Sequence, residues 1–132
     1  MIVYQNSLIT LTYAPETDIL SVDWPNFEPY ATLEIRESLL KLVEIVRNYD
    51  VKKLLIDASK ANIGMNDDAY RAILLEFAGE LEKTHIQKLA RIKTQDPSRE
   101  VKVTTLRSAM PFPYDFQNFS TEQEALAWLA AD

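Results

Sequence analysis

Cysteine is absent from the chain, which removes disulfides, thiolate metal sites and cysteine nucleophiles and suits a reducing compartment. Glycine occurs only at Gly64 and Gly79. A Walker loop and a dinucleotide fingerprint each need several closely spaced glycines so that backbone can approach phosphate, and neither can be written here. His85 is the only histidine. A Ser-His-Asp triad would have to use it, yet no serine lies in a Gly-x-Ser-x-Gly turn. His85 instead follows a predicted helix, where a cation suits the negative end of the dipole. No apolar run approaches the ~20 residues that a membrane helix needs. The opening MIVYQNSLITLTY lacks the basic start and long apolar core of a signal peptide. The expectation is a cytoplasmic protein with no membrane insertion.

What is present suits one ordinary domain, expected to span 1–132. A chain of this length buries roughly two-thirds of its unfolded surface and needs no staples. The net charge of −6 is unevenly spread. From Lys83 to Arg107 there are seven bases (Lys83, Lys88, Arg91, Lys93, Arg99, Lys102, Arg107) against two acids, Asp96 and Glu100. The remainder is strongly acidic, which argues against a nucleic-acid binder. The asymmetry suits self-association or an oppositely charged protein, although a solvated surface is the simpler reading.

Along the chain, Ile9, Leu11 and Tyr13 alternate, as do Leu20, Val22 and Trp24, around a turn at Ala14–Thr17. This predicts a β-hairpin. Ile35, Leu39, Leu42, Val43, Val46 and Tyr49 then fall at helical spacing, predicting a helix over about Tyr30–Asn48, with Glu37 and Lys41 as a flanking pair. Leu54-Leu55-Ile56 is apolar at consecutive positions, so the strand Lys52–Ala58 should be interior, covered on both faces. Asn66, Asp67 and Asp68 open a second helix whose buried stripe is Tyr70, Ile73, Leu74, Phe77, Ala78 and Leu81. Gln87–Thr94 reads as a strand, 97–109 as a helix opened by Asp96-Pro97, and Met110–Pro113 as irregular. Tyr114–Phe119 reads as a last strand, and Ser120 with Gln123 as the capping box of a closing helix. The order predicts an α/β mixed sheet of about five strands, hairpin first and then βαβα units, backed by three to four helices.

The most informative stretch is KKLLIDASKANIGMNDD, residues 52–68. In an α/β protein, ligands and partners gather beyond the carboxyl end of a strand, at the start of the next helix. Asp57, Ser59, Asn62, Asn66, Asp67 and Asp68 are therefore the candidate partner-binding residues. Convergence of Asp57, Asp67 and Asp68 on a hard cation is the enzymatic alternative; a receiver-like phosphoacceptor would want further acids and a late lysine that the chain does not supply. Phe77, Met110, Phe112 and Tyr114 mark a candidate pocket for a small apolar ligand, although aromatics that close the core are the simpler reading. Trp24, Tyr13 and Trp128 read as core or sheet residues.

The leading hairpin, the strand ending LLIDAS, the amphipathic helix after it and the closing Phe119-Ser120-Thr121-Glu122-Gln123-Glu124-Ala125-Leu126-Ala127-Trp128-Leu129 resemble the SpoIIAA-like group of the STAS superfamily. The resemblance implies a small STAS-like α/β module that binds protein partners and has no catalytic residues, metal or cofactor. Some such domains bind nucleotides or lipids. In phospho-switch members, a serine at the start of the helix after the central strand is phosphorylated by a partner kinase. The matching position falls near Asn66-Asp67-Asp68, and carboxylates stand there instead of serine. Two acids at a helix start imitate a phosphorylated state with less charge; they also cap the helix, and capping is the preferred reading. The expected function is a regulatory or protein-interaction module, with a carrier or sensor of a small apolar ligand as the alternative and a magnesium-dependent acid-site enzyme as the weaker one. The opening hairpin and the divided charge also suit a homodimer.

Overall fold

A computed structural model describes residues 1–98, 100, 101, 104 and 113–131. One mixed sheet organises them, in the order β1 (Ile2–Gln5), β2 (Thr10–Ala14), β3 (Ile19–Asp23), β4 (Lys53–Asp57), β5 (Lys88–Ile92) and β6 (Asp115–Phe119). The first three strands are antiparallel, and β3 to β6 run parallel. The sheet has six strands rather than five, because β1 joins the hairpin as an edge strand. A shift of register between Ile2 and Tyr4 interrupts its pairing with β2.

The Leu54-Leu55-Ile56 run behaves as an interior strand should. Leu54 and Ile56 join Leu20, Val22 and Leu89 in the core beneath helices α1 (Thr32–Asn48) and α2 (Asp67–Glu82). Leu55 faces the other way, with Ile19, Ala90 and Ile92, under Ala125 and Leu129 of helix α3 (Glu122–Ala130). The buried stripe of α1 is Ile35, Leu39, Leu42, Val43 and Val46, with Ser38 and Ile45. Tyr49 lies outside it, 42% exposed, its ring packed edge-on at 5.6 Å from Tyr13. Lys41 reaches Glu44 Oε1 at 3.4 Å. In α2, Tyr70, Ile73, Phe77, Ala78 and Leu81 are buried and Leu74 half-buried.

The end of the sheet where β3 and β4 begin is closed by two aspartates with left-handed backbone, Asp18 at φ 57° and Asp50 at φ 52°. At Asp50 the left-handed turn ends α1. Val51 N–H donates to Val46 O at 2.9 Å and Asp50 N–H to Arg47 O at 3.2 Å, which satisfies the last carbonyls of the helix. Side-chain bonds hold both residues. Asp18 accepts from the Tyr13 hydroxyl at 2.7 Å and from Lys52 N–H at 3.1 Å. Asp50 accepts from Lys52 Nζ at 2.7 Å and pairs with His85 Nδ1 at 2.6 Å. The Lys52 ammonium and then His85 hold the Asp50 carboxyl below the usual carboxylate range. His85 therefore has a specific acidic partner in addition to its place after α2.

Two bases of the basic stretch are tied into the fold rather than free in a solvated surface, Lys88 half-buried and Arg91 buried. Lys88 Nζ donates to Trp128 O at 3.1 Å and stands 5.1 Å over the half-buried Trp128 ring. Arg91, 6% exposed, lies on β5 and makes a two-pronged pair with Glu100 at 2.6 and 3.0 Å. Thr94 donates to the same carboxylate through its N–H at 3.0 Å and its hydroxyl at 2.6 Å. Pro97, Ser98, Glu100, Val101 and Thr104 are helical; the rest of the 97–109 helix expected from sequence lies outside the described residues. The cap of α3 sits one residue later than expected. Thr121, in extended backbone, accepts from Glu124 N–H at 3.2 Å, and its hydroxyl donates to Glu124 Oε1 at 2.9 Å. Both Ser120-x-x-Gln123 and Thr121-x-x-Glu124 satisfy the capping pattern, and the extended chain leaving β6 selects the second.

Candidate functional site

At the opposite end of the sheet, β4 delivers its last residues between two neighbours. Trp24 N–H donates to Asp57 O at 2.8 Å, and Ala58 N–H donates to Ile92 O at 3.0 Å. The Asp57 side chain then turns the chain on itself. Its Oδ1 accepts from Ser59 N–H at 2.9 Å and from the Ser59 hydroxyl at 2.6 Å. Both residues are half-buried. A short polar acceptor that caps its own turn is the standard use of aspartate after a strand. Asp57 and Ser59 thus shape the loop from beneath.

The rest of the loop is tied down by Phe27. Asn62 N–H donates to Asn26 Oδ1 at 2.9 Å, and Asn62 O accepts from Phe27 N–H at 2.8 Å. Phe27 O accepts from Gly64 N–H at 2.8 Å and Met65 N–H at 3.0 Å, with Phe27 and Ile63 forming an isolated parallel bridge. The Phe27 ring is fully buried. It stands edge-on to Tyr70 at 4.9 Å and lies 5.7 Å from Trp24. One residue therefore fastens the loop by its backbone and roots it in the core by its side chain. The approach is close at Gly64, where a Cβ would come 3.2 Å from Glu28 Oε2 and 3.5 Å from Pro29 Cδ.

Asn66 then caps α2, its Oδ1 accepting from Ala69 N–H at 2.8 Å, with Asp67 and Asp68 in the first turn. Met65 and Tyr70 are buried on either side. Asn62, Gly64, Asn66, Asp67 and Asp68 are exposed. The six candidate residues thus belong to one continuous loop and helix start, divided into two that build the turn (Asp57, Ser59) and four that face solvent (Asn62, Asn66, Asp67, Asp68). Asn26 and Phe27 were not expected. The nearest local signal is Pro29, which disfavours helical backbone at Glu28 (φ −85°, ψ 138°).

The arrangement suits recognition by fixed hydrogen-bonding groups and charge. Among the described residues, no three of the His, Cys, Asp and Glu side chains come together in a way that would hold a metal ion. Of the expected apolar pocket, Phe77 and Tyr114 are buried in the core beneath α1 and α2; Met110 and Phe112 lie outside the described residues. Among the described residues, no helix is long and apolar enough to cross a membrane.

No protein-family model matches the chain, and no curated protein sequence does. Solved structures do. The chain is similar to an uncharacterised protein of the DUF3478 family with a SpoIIAA-like fold from Shewanella loihica, at 17% identity and a TM-score of 0.62, over 96% of this chain and 98% of that one. It is similar to an anti-sigma factor antagonist from Mycobacterium paratuberculosis, at 16% identity and a TM-score of 0.57, over 93% and 95%. It is similar to the Bacillus cell fate determinant SpoIIAA in its phosphorylated form, at 15% identity and a TM-score of 0.55, over 92% and 98%. Across nearly its whole length, the chain has the SpoIIAA-like fold.

Proposed function

We propose that this chain is a non-catalytic cytoplasmic regulatory module that binds a protein partner through the loop 58–66 and the start of α2. One observation carries the reading: a polar, acidic edge is held in fixed geometry by main-chain bonds to Phe27, beyond the carboxyl end of an interior strand. Its exposed groups need no rearrangement to be read, which lowers the ordering cost of binding. The shared fold supports the same reading, since it is also the fold of an anti-sigma factor antagonist and of SpoIIAA, which occurs in a phosphorylated form. In this chain, carboxylates supply a permanent negative charge at the helix start, so partner binding needs no phosphorylation there.

The test is site-specific photo-cross-linking in the producing cells. A benzophenone side chain at position 62 should capture one discrete protein, and the capture should be lost when Asp67 and Asp68 are both replaced by alanine. The same probe at Glu16, in the turn at the far end of the sheet, should capture nothing discrete. Equal capture from both positions, or none from position 62, would reject the reading.

A further inference from the structure

We propose that the partner-binding surface extends from the loop onto the outer side of α1, where Tyr30 and Leu33, set among Glu28, Glu34 and Glu37, dock a basic protein segment that brings apolar side chains of its own. This rests on the partner-binding reading above and adds the chemistry of the partner. Tyr30 is 84% exposed and Leu33 59%. They lie three residues apart, at the 3-10 turn Pro29–Ala31 and in the first turn of α1. Leu33 is on the side of the helix away from the buried stripe of Ile35, Leu39 and Leu42. Single exposed apolar residues need no explanation. Two large ones within four residues, flanked by carboxylates, do.

The field is acidic. From Pro25 to Leu40 the chain carries Glu28, Glu34 and Glu37 and a single base, Arg36. That base is already taken: Glu76 of α2 accepts from Arg36 Nε at 2.7 Å and from its terminal nitrogen at 2.8 Å. Within Pro25–Leu40 the charge left uncompensated is therefore negative. The surface is also continuous with the loop, because Glu28 Oε2 and Pro29 Cδ lie against Gly64. Complementarity asks for lysine or arginine flanking apolar anchors. An anionic membrane would be repelled.

The test uses three synthetic peptides of equal length, built from Leu and Lys, from Leu and Glu, and from Ser and Lys, titrated into the full chain and followed by amide NMR shifts. The Leu/Lys peptide should shift Tyr30, Leu33, Glu34, Glu37 and Asn62, with binding that weakens as salt is raised. The other two should bind at least about tenfold more weakly, and Tyr30→Ser with Leu33→Ser should weaken the Leu/Lys peptide by at least about tenfold. Both positions are exposed, so an unchanged spectrum elsewhere will show that the variant folds. Equal binding of the Leu/Glu peptide, shifts confined to other surfaces, or wild-type affinity of the double variant would overturn the proposal. So would self-association in sedimentation that the double variant abolishes, since the occupant would then be a second copy. If position 62 still captures its protein with unchanged yield in the double variant, this proposal fails while the partner-binding reading stands. If position 62 captures nothing, the reading itself fails.

Discussion

Replacing Glu100 with glutamine should be among the most damaging single changes outside the apolar core. The Arg91 and Glu100 side chains are 7% and 17% exposed. With the carboxylate gone, the buried guanidinium keeps Asn118 Oδ1 at 3.1 Å as its described partner. Breaking a buried pair from one side costs ~3–5 kcal/mol. Glutamine keeps an acceptor for Thr94, and the site retains some water contact, so we place Glu100→Gln near ~3 kcal/mol. That is a large share of the ~5–15 kcal/mol that holds a domain folded. Arg91→Met alone should also destabilise, whereas Arg91→Met with Glu100→Gln removes both charges and should cost less than the sum of the two by ~2 kcal/mol or more. Urea denaturation of the four proteins closes the cycle. The pH dependence has a definite sign. Burial alone would raise the Glu100 carboxyl, but hydrogen bonds from Arg91 and Thr94 outweigh it and hold the group below its ordinary value of about 4.5. A depressed folded pKa contributes stability that is present above the unfolded value and is lost as pH falls through the folded one. Wild-type protein should therefore lose stability more steeply than Glu100→Gln as pH falls below about 4.5. A cost for Glu100→Gln under ~1 kcal/mol, or strict additivity in the cycle, would refute this reasoning.

Asn66→Ala removes the side-chain acceptor of Ala69 N–H at the start of α2 and should cost about 1 kcal/mol in urea denaturation, with Asn66→Asp recovering most of it; an unchanged midpoint would show that the cap contributes nothing. The Tyr13 hydroxyl, donating to the Asp18 carboxylate and partly desolvated, is pushed up to about 12. The stability this bond provides is complete below the ordinary tyrosine value and disappears as pH rises through about 12. Ultraviolet difference titration should accordingly show more ionised tyrosine at about pH 11 in Asp18→Asn than in wild type, and identical curves would contradict the assignment.

The parts of the fold legible in sequence are those whose pattern survives the environment. Leu54-Leu55-Ile56 announces cover on both faces because both faces are in fact covered, by α1 and α2 on one side and α3 on the other. The stripes of α1 and α2 are legible for the same reason. The β1 strand is not, because a register shift interrupts its pairing with β2 over only four residues. Tyr49 obeys the helical spacing of α1 but falls at its C-terminal cap, where the helix has already ended and the ring turns to Tyr13. Arg91 looks like surface charge among the bases of its stretch, since burial of a base depends on a partner, Glu100, that only the folded chain brings near. Within the candidate site, the loop and the cap of α2 are visible from turn and capping chemistry. Phe27 is invisible, because its role is carried by main-chain N–H and C=O groups that every residue possesses.

That last point decides how the site can be probed. The two ends of the sheet are built differently. The far end depends on side chains, with Asp18 and Asp50 each spending a carboxylate to hold left-handed backbone in place. The candidate end depends on the backbone of Phe27 and on the Asp57 cap, and among the described residues the bonds that close the loop use main-chain atoms of Asn62 and no side-chain atom of Asn62 or Asp68. Changing an aspartate at the far end should therefore register first as lost stability. Changing the side chain of Asn62 should leave the denaturation midpoint within about 0.5 kcal/mol of wild type, and changing Asp68 should cost no more than about 1 kcal/mol through its place in the first turn of α2, so a larger loss of a partner at either position reports on recognition itself. A variant at Asp68 that lost binding only in proportion to lost folding would place that residue with the scaffold instead.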